Sequence, residues 1–128
     1  MVLVQTPRTA TTMKQGLKIT ESDSGAVHVL HLQGYLDGHT FVELERKVDT
    51  LLKAGKTRLV IELSALSYIA SAGVGVFINS QHQAKSKGGT VQLVNPSASV
   101  REIFSILGLG SIFTIHDTVD QGVKAASA

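Results

Sequence analysis

The chain has 128 residues, of which 43% are hydrophobic and 17% charged, with a formal net charge of +2 and no cysteine. This length fits one domain, and the apolar content excludes a largely disordered chain. The lack of cysteine excludes disulfides, thiolate metal ligands and cysteine nucleophiles. Because the basic residues are scattered and no aromatic residues lie among them, we expect no nucleic-acid partner.

The termini are expected to be loose and the chain to be cytoplasmic. No apolar run approaches the ~18–20 residues of a transmembrane helix, and residues 1–4 are too few for the core of a signal peptide. We therefore expect no membrane insertion. Residues 5–15 are polar, threonine-rich and aperiodic, so residues 1–15 are predicted to form a flexible N-terminal tail. The domain is expected over 16–124, with a loose C-terminus at 125–128.

The first predicted elements are two strands in an antiparallel hairpin. Residues 27–32 are β-branched and apolar enough for a strand, which Gly34 is predicted to end. Residues 17–20 are expected to pair with it across the polar turn at 22–25.

A helix and a central strand are predicted next. Thr40 and Glu43 form a capping-box pattern, in which the threonine side chain caps the helix. Apolar residues then follow at spacings of three and four until Gly55. Residues 59–63 are almost continuously apolar, which is typical of a strand covered on both faces.

The second half repeats this alternation. It contains a predicted helix at 71–87, a strand at 91–94, a helix introduced by residues 95–97 and closed by Gly108, a strand at 111–115, and a terminal helix from about Val119. The order β-β-α-β-α-β-α-β-α predicts an α/β domain with a mixed, mostly parallel sheet and about four helices.

Enzyme motifs are incomplete. The Ser71 segment has isoleucine where a nucleophile elbow needs its first glycine. The segment starting at Gly73 has Ile78 where a dinucleotide loop needs its last glycine. His28 and His31, three apart on a strand, point to opposite faces and cannot share a metal. We therefore expect no catalytic, cofactor or metal site.

Ser71 is the remaining chemical candidate, at the predicted start of a helix. Two roles are open for it. It can serve as the N-cap, whose side chain satisfies a free backbone N–H. It can also accept a phosphate, because a helix N-terminus tolerates negative charge.

Three separated motifs favour the second role, which does not exclude the first. In chain order they are Gly34-Tyr35-Leu36-Asp37; Glu62-Leu63-Ser64 followed by Tyr68-Ile69-Ala70-Ser71-Ala72-Gly73-Val74-Gly75-Val76; and Gly88-Gly89 followed by a strand, a helix and Gly108-Leu109. Their order and spacing make residues 17–123 resemble the STAS domain proteins, in particular the anti-sigma factor antagonists.

The resemblance implies a STAS-like domain and a partner-switching regulator rather than an enzyme. In this family an unphosphorylated antagonist binds an anti-sigma factor that carries an ATP-dependent serine-kinase domain. Phosphorylation of a serine at the start of the second helix breaks the complex, and a PP2C-type phosphatase restores it. That serine matches Ser71. The partner-binding residues implied around it are Asp37, Gly38, His39, Thr40, Ala70, Ala72, Gly73, Val74 and Asn79.

The chain departs from the family pattern beside the serine. Ala70 replaces the usual aspartate, Ala72 stands where Ser or Thr is frequent, and Glu62 stands where Asp or Asn is frequent. The lost carboxylate keeps a second function open, that of a STAS accessory subunit of a lipid-transport ABC complex, docking on its ATPase. A nucleotide-binding domain that uses the helix start as a phosphate cradle is a third.

Overall fold

One mixed sheet organises the chain. The computed structural model describes residues 11–14 and 16–128. In chain order it has β1 (Thr11–Lys14), β2 (Leu17–Ser24), β3 (Val27–Leu36), α1 (Phe41–Lys53), β4 (Arg58–Ile69), α2 (Ser71–Ser86), β5 (Thr90–Val94), α3 (Ala98–Leu107), a 3-10 helix (Leu109–Ser111), β6 (Ile115–His116) and α4 (Val119–Ser127). The sheet order is β1-β2-β3-β4-β5-β6. The first two pairings are antiparallel and the other three parallel. The predicted fold class is therefore confirmed.

The helices cover the two faces of the sheet unequally. Along β3, Leu30 and Leu32 face a large core that α1, α2 and α3 close. Val29 faces the other side, where Val60 and Ala126 form a smaller core beneath α4. This alternation follows from the two-residue period of a strand. Consequently α1 and α2 lie side by side on the same face.

The segment predicted as a tail contains a strand. β1 pairs antiparallel with β2, from Thr11 opposite Thr20 to Lys14 opposite Leu17. Two of the four residues of β1 are threonines, which are β-branched and favour strands, and β1 satisfies the backbone groups on the open edge of β2. The expectation of a flexible tail is therefore wrong for residues 11–14; residues 1–10 and 15 of that expectation lie outside the described residues.

The C-terminus is fixed rather than loose. α4 continues to Ser127, and Ala126 is completely buried in the smaller core. The Arg58 guanidinium donates hydrogen bonds to the carbonyl oxygens of Ala126, at 2.6 Å, and Ala128, at 3.2 Å. These bonds satisfy carbonyls at the end of α4 that lack a partner within the helix. The prediction of a loose segment at 125–128 is thus wrong.

Gly34 does not end β3 but lets it continue. Its φ is +105°, and a Cβ there would lie 2.2 Å from the Gly16 carbonyl oxygen. That oxygen accepts a hydrogen bond from the Tyr35 backbone N–H at 2.6 Å. A residue without Cβ is needed at this crossing, and beyond it β3 runs on to Leu36. β4 likewise exceeds its prediction and reaches Ile69.

The strand predicted at 111–115 is mostly helical turn. Leu109 and Phe113 are both buried, four residues apart, and the Phe113 N–H donates to the Leu109 carbonyl at 2.9 Å. That spacing suits a helical turn better than a strand. β6 is left with two residues.

Candidate functional site

The candidate site lies at the carboxyl ends of β3 and β4. Leu36 pairs with Ile69 in parallel register, and the Ala70 N–H donates to the Leu36 carbonyl at 2.9 Å. Parallel strands end at the same edge of a sheet, so the segments that leave them are neighbours. The loop at 37–40 and the start of α2 are thereby brought together, as the motifs predicted.

Asp37 holds the loop in one conformation. Its Oδ1 accepts hydrogen bonds from the backbone N–H groups of His39, at 2.9 Å, and Thr40, at 3.1 Å. These two bonds favour the charged carboxylate and lower the pKa of Asp37 below its usual value. The loop therefore carries a permanent negative charge at neutral pH.

Thr40 performs a different role from the predicted capping box. It is the N-cap residue of α1, but its side chain forms no cap hydrogen bond. Instead its Oγ1 accepts from the Asp37 N–H at 2.9 Å and donates to the Tyr35 carbonyl at 2.9 Å. Because Thr40 is only 1% exposed, its side chain closes the loop from within.

Ser71 is the first residue of α2 and not its N-cap. Ala70 occupies the N-cap position with extended backbone and no side-chain cap. Ser71 is exposed, and its hydroxyl forms no hydrogen bond with any described residue. The N-cap role for Ser71 is therefore wrong. No acidic residue lies in the first turn of α2, so no carboxylate of the helix itself offsets the positive end of its dipole next to the serine.

Gly73 allows α2 to pack closely against the ends of β3 and β4. It is buried, and a Cβ there would lie 2.7 Å from Leu36 Cγ, 2.8 Å from Leu36 Cδ2 and 3.0 Å from Ile69 Cγ1. Only hydrogen fits in this space without movement of the core. Gly73, implied by the resemblance as a partner-binding residue, thus positions the site from beneath.

The outward surface of α2 is neutral. Residues 71–84 contain no Asp, Glu, Lys or Arg. Ser71, Gly75, Ile78 and Asn79 are exposed along it, with Ile78 41% exposed. Of the other implied residues, Gly38 and His39 are exposed, whereas Asp37, Ala70, Ala72 and Val74 are half-buried.

Two exposed tyrosines at this edge are not among the partner-binding residues that the resemblance implies. Tyr35 and Tyr68 are partners in the β3–β4 register and are 52% and 47% exposed. Each precedes a buried residue, Leu36 or Ile69, so alternation directs the tyrosines to the opposite face of the sheet. That alternation was the signal available in the sequence.

Glu62 is a structural residue away from this edge. It is 7% exposed and accepts hydrogen bonds from the Ser64 N–H and the Asn95 side-chain amide, both at 3.1 Å. Burial opposes its ionisation, but hydrogen bonds from His31, Ser64 and Asn95 outweigh it and lower the pKa of Glu62. Glu62 thereby ties β4 to the loop that precedes α3.

Two kinds of structural feature are absent from the described part of the chain. Among residues 11–14 and 16–128, no group of three or more His, Asp or Glu side chains is arranged to hold a metal. None of the helices described is long and apolar enough to cross a bilayer.

Comparison with known proteins identifies the family of this chain. The STAS domain family model matches residues 18–122. The chain belongs to the STAS domain family. The anti-sigma-B factor antagonist of Bacillus subtilis is 32% identical over 95 residues, covering 74% of this chain and 86% of that protein. This STAS protein is accordingly a member of the anti-sigma factor antagonist family.

Solved structures agree with this assignment. The Bacillus cell fate determinant SpoIIAA in its phosphorylated form matches with a TM-score of 0.64 at 25% identity, covering 85% of this chain and 97% of that one. An anti-sigma factor antagonist from Mycobacterium paratuberculosis matches with a TM-score of 0.79 at 20% identity, covering 91% and 99%. The second likeness concerns the fold alone.

Proposed function

We propose that this STAS protein antagonises an anti-sigma factor by partner switching at Ser71, in the cytoplasm. The observation that carries the proposal is the exposed Ser71 hydroxyl, which has no hydrogen bond to any described residue and lies at the start of α2 beside the loop at 37–40. A hydroxyl that stabilises nothing in the fold is free to serve as a phosphate acceptor.

The unphosphorylated protein binds through a surface that we call the docking face. It comprises Gly38 and His39 of the loop and the exposed residues Ser71, Ile78 and Asn79 of α2. The α2 part of this surface is neutral and includes one exposed aliphatic side chain, so burying that part requires little desolvation of charge. The partner is an anti-sigma factor with an ATP-dependent serine-kinase domain.

Phosphorylation acts on this surface rather than on the fold. The Ser71 oxygen attacks the γ-phosphorus of ATP, the bond to the β-phosphate oxygen breaks, ADP leaves, and the kinase takes the hydroxyl proton. The product carries about −1.5 to −2 charges at neutral pH. The helix dipole favours this charge at the start of α2, whereas a closed interface must desolvate it. A penalty of ~3–4 kcal/mol lowers affinity a few hundredfold. A PP2C-type phosphatase would reverse the modification.

A kinase assay tests the acceptor. The purified chain is incubated with its cognate anti-sigma factor and ATP, and the product is analysed by intact mass and peptide mapping. We expect one phosphate, located on Ser71, and none on Ser71→Ala. The matched control Ser86→Ala, at the other end of α2, should be phosphorylated like the wild type. A phosphate on another residue, or none, contradicts the proposal.

One observation favours a second function. The N-cap of α2 is Ala70, so no carboxylate directly precedes Ser71 in the chain for a kinase to recognise. As a STAS accessory subunit of a lipid-transport ABC complex, the chain would use the same face to dock on the transporter ATPase. Capture from native cells separates the two functions: an ABC ATPase as the stoichiometric partner supports the transporter subunit, and a kinase-type ATPase supports the antagonist.

A further inference from the structure

A groove runs between α1 and α2, next to the docking face. Its volume is about 310 Å³, at the lower end of the ~300–1,000 Å³ typical of small-molecule pockets. A space of this size suits one long side chain better than a nucleotide. It is lined by Val42, Glu45, Arg46 and Asp49 of α1 and by Asn79, Ser80 and Gln83 of α2.

Ser80 has an unused hydroxyl at the groove. The residue is 3% exposed, and its Oγ forms no hydrogen bond with any described residue. Yet no side-chain nitrogen or oxygen of the described residues is both fully enclosed and unpartnered, so the Ser80 hydroxyl must open into the groove that it lines. A nearly buried polar group without a protein partner is costly unless something else supplies the hydrogen bond.

The other polar groups that line the groove favour the binding of a cation. Glu45 and Asp49 are four residues apart, hence on one face of α1. Glu45 forms no ion pair with a described residue, and Asp49 shares its charge with the exposed Lys53 at 3.1 Å. The only cation in the lining, Arg46, has its Nη1 3.6 Å from Glu43, which is not a lining residue. Among the described residues, Glu45 is therefore the one lining carboxylate without an ion pair, and the lining guanidinium of Arg46 is paired outside the groove.

The opposite wall adds neutral acceptors at matching spacing. Asn79 and Gln83 are also four residues apart, on one face of α2. Their side-chain amides, each with one acceptor oxygen, line the groove together with the Ser80 hydroxyl and the carboxylates of α1. A guanidinium, with five N–H donors in a plane, can satisfy several acceptors at once, which the ammonium of lysine does less well.

We propose that this groove receives an arginine side chain of the protein that docks on α2. The groove is continuous with the docking face, because Asn79 belongs to both. This inference rests on the docking role proposed above and names the chemistry that the partner must present there. Since no metal-holding cluster exists among the described residues, a side-chain cation fits better than a bound metal ion.

Amide NMR of the ¹⁵N-labelled full chain tests this directly. The probe is N-acetyl-L-arginine amide, and the neutral isostere N-acetyl-L-citrulline amide is the control. We expect millimolar binding of the arginine probe, with shifts confined to residues of the two groove walls, and weaker binding of the citrulline probe. Scattered shifts, or equal affinity for both probes, overturn the proposal.

Substitutions test which side chains of the groove bind the arginine probe. Glu45→Gln and Asp49→Asn should each weaken the arginine probe about fivefold, and Ser80→Ala should weaken it too. Glu102→Gln, an exposed carboxylate of α3, should not. Unchanged affinity in Glu45→Gln contradicts the proposal, and an otherwise unaltered spectrum shows that the variant is folded. Because no kinase or phosphate is present, failure here leaves the Ser71 switch standing, and failure of the kinase assay leaves this result standing.

Discussion

Replacing Gly73 by alanine should destabilise the fold at the candidate site. The added methyl would lie 2.7–3.0 Å from three carbon atoms of Leu36 and Ile69, both of which are almost fully buried. Overpacking of this kind costs ~1–3 kcal/mol. Replacing a helical glycine by alanine returns at most about 1 kcal/mol. The net expectation is a loss of up to about 2 kcal/mol in the free energy of unfolding, measured by urea denaturation.

Gly75 offers the matched control in the same helix. It is exposed, and a Cβ there would meet nothing within 4 Å. Gly75→Ala should therefore gain stability by up to about 1 kcal/mol. The two variants differ in the space around the new methyl, not in chemistry. If Gly73→Ala proves as stable as Gly75→Ala, the close approach of α2 to the strand ends is wrong.

Two further variants test how the C-terminus is held and how the buried carboxylate of Glu21 is stabilised. Arg58→Ala should lose about 1.5–3 kcal/mol of unfolding free energy, because its charged hydrogen bond to the Ala126 carbonyl disappears; the exposed Arg101→Ala should change it by less than about 0.5 kcal/mol. Burial opposes ionisation of Glu21, but its bonds, foremost that from Lys47 at 2.6 Å, hold its pKa low. A carboxyl whose pKa is lowered by folding contributes stability that is lost as the pH falls through its folded-state pKa. Lys47→Met should therefore reduce the loss of stability at acid pH, measured by denaturation at a series of pH values. An unchanged pH profile would contradict this role of Lys47.

The regular elements were predictable because their signals are local. The apolar spacing in α1 and the continuous apolar run in β4 report burial directly. β1 has no such local pattern. It is a strand because the edge of β2 supplies its hydrogen-bond partners. Gly34 resembles a strand end in sequence, and only the crossing of Gly16 shows why glycine is needed inside β3.

The candidate site was predictable in position but not in the role of each residue. The motifs placed the loop at 37–40 beside Ser71, and the parallel pairing of β3 with β4 brings them together. Tertiary contacts determine which hydroxyl is free and which is already hydrogen-bonded. Thr40 is enclosed and doubly hydrogen-bonded, whereas Ser71 is exposed and unbonded among the described residues. The α1–α2 groove depends on the packing of two helices, which no local pattern encodes.

The central claim is that one phosphate on Ser71 dissociates the partner while the fold persists. Titration calorimetry of the cognate anti-sigma factor with the unphosphorylated and the Ser71-phosphorylated chain measures this most directly. Ser71→Asp serves as a mimic. Ser86→Asp is the control, 15 residues along α2 and thus roughly 22 Å away. We predict an affinity at least about a hundredfold lower for phosphorylated Ser71, with the thermal midpoint of the free chain little changed. Equal affinity of the two forms, or a loss of binding that Ser86→Asp reproduces, would contradict it.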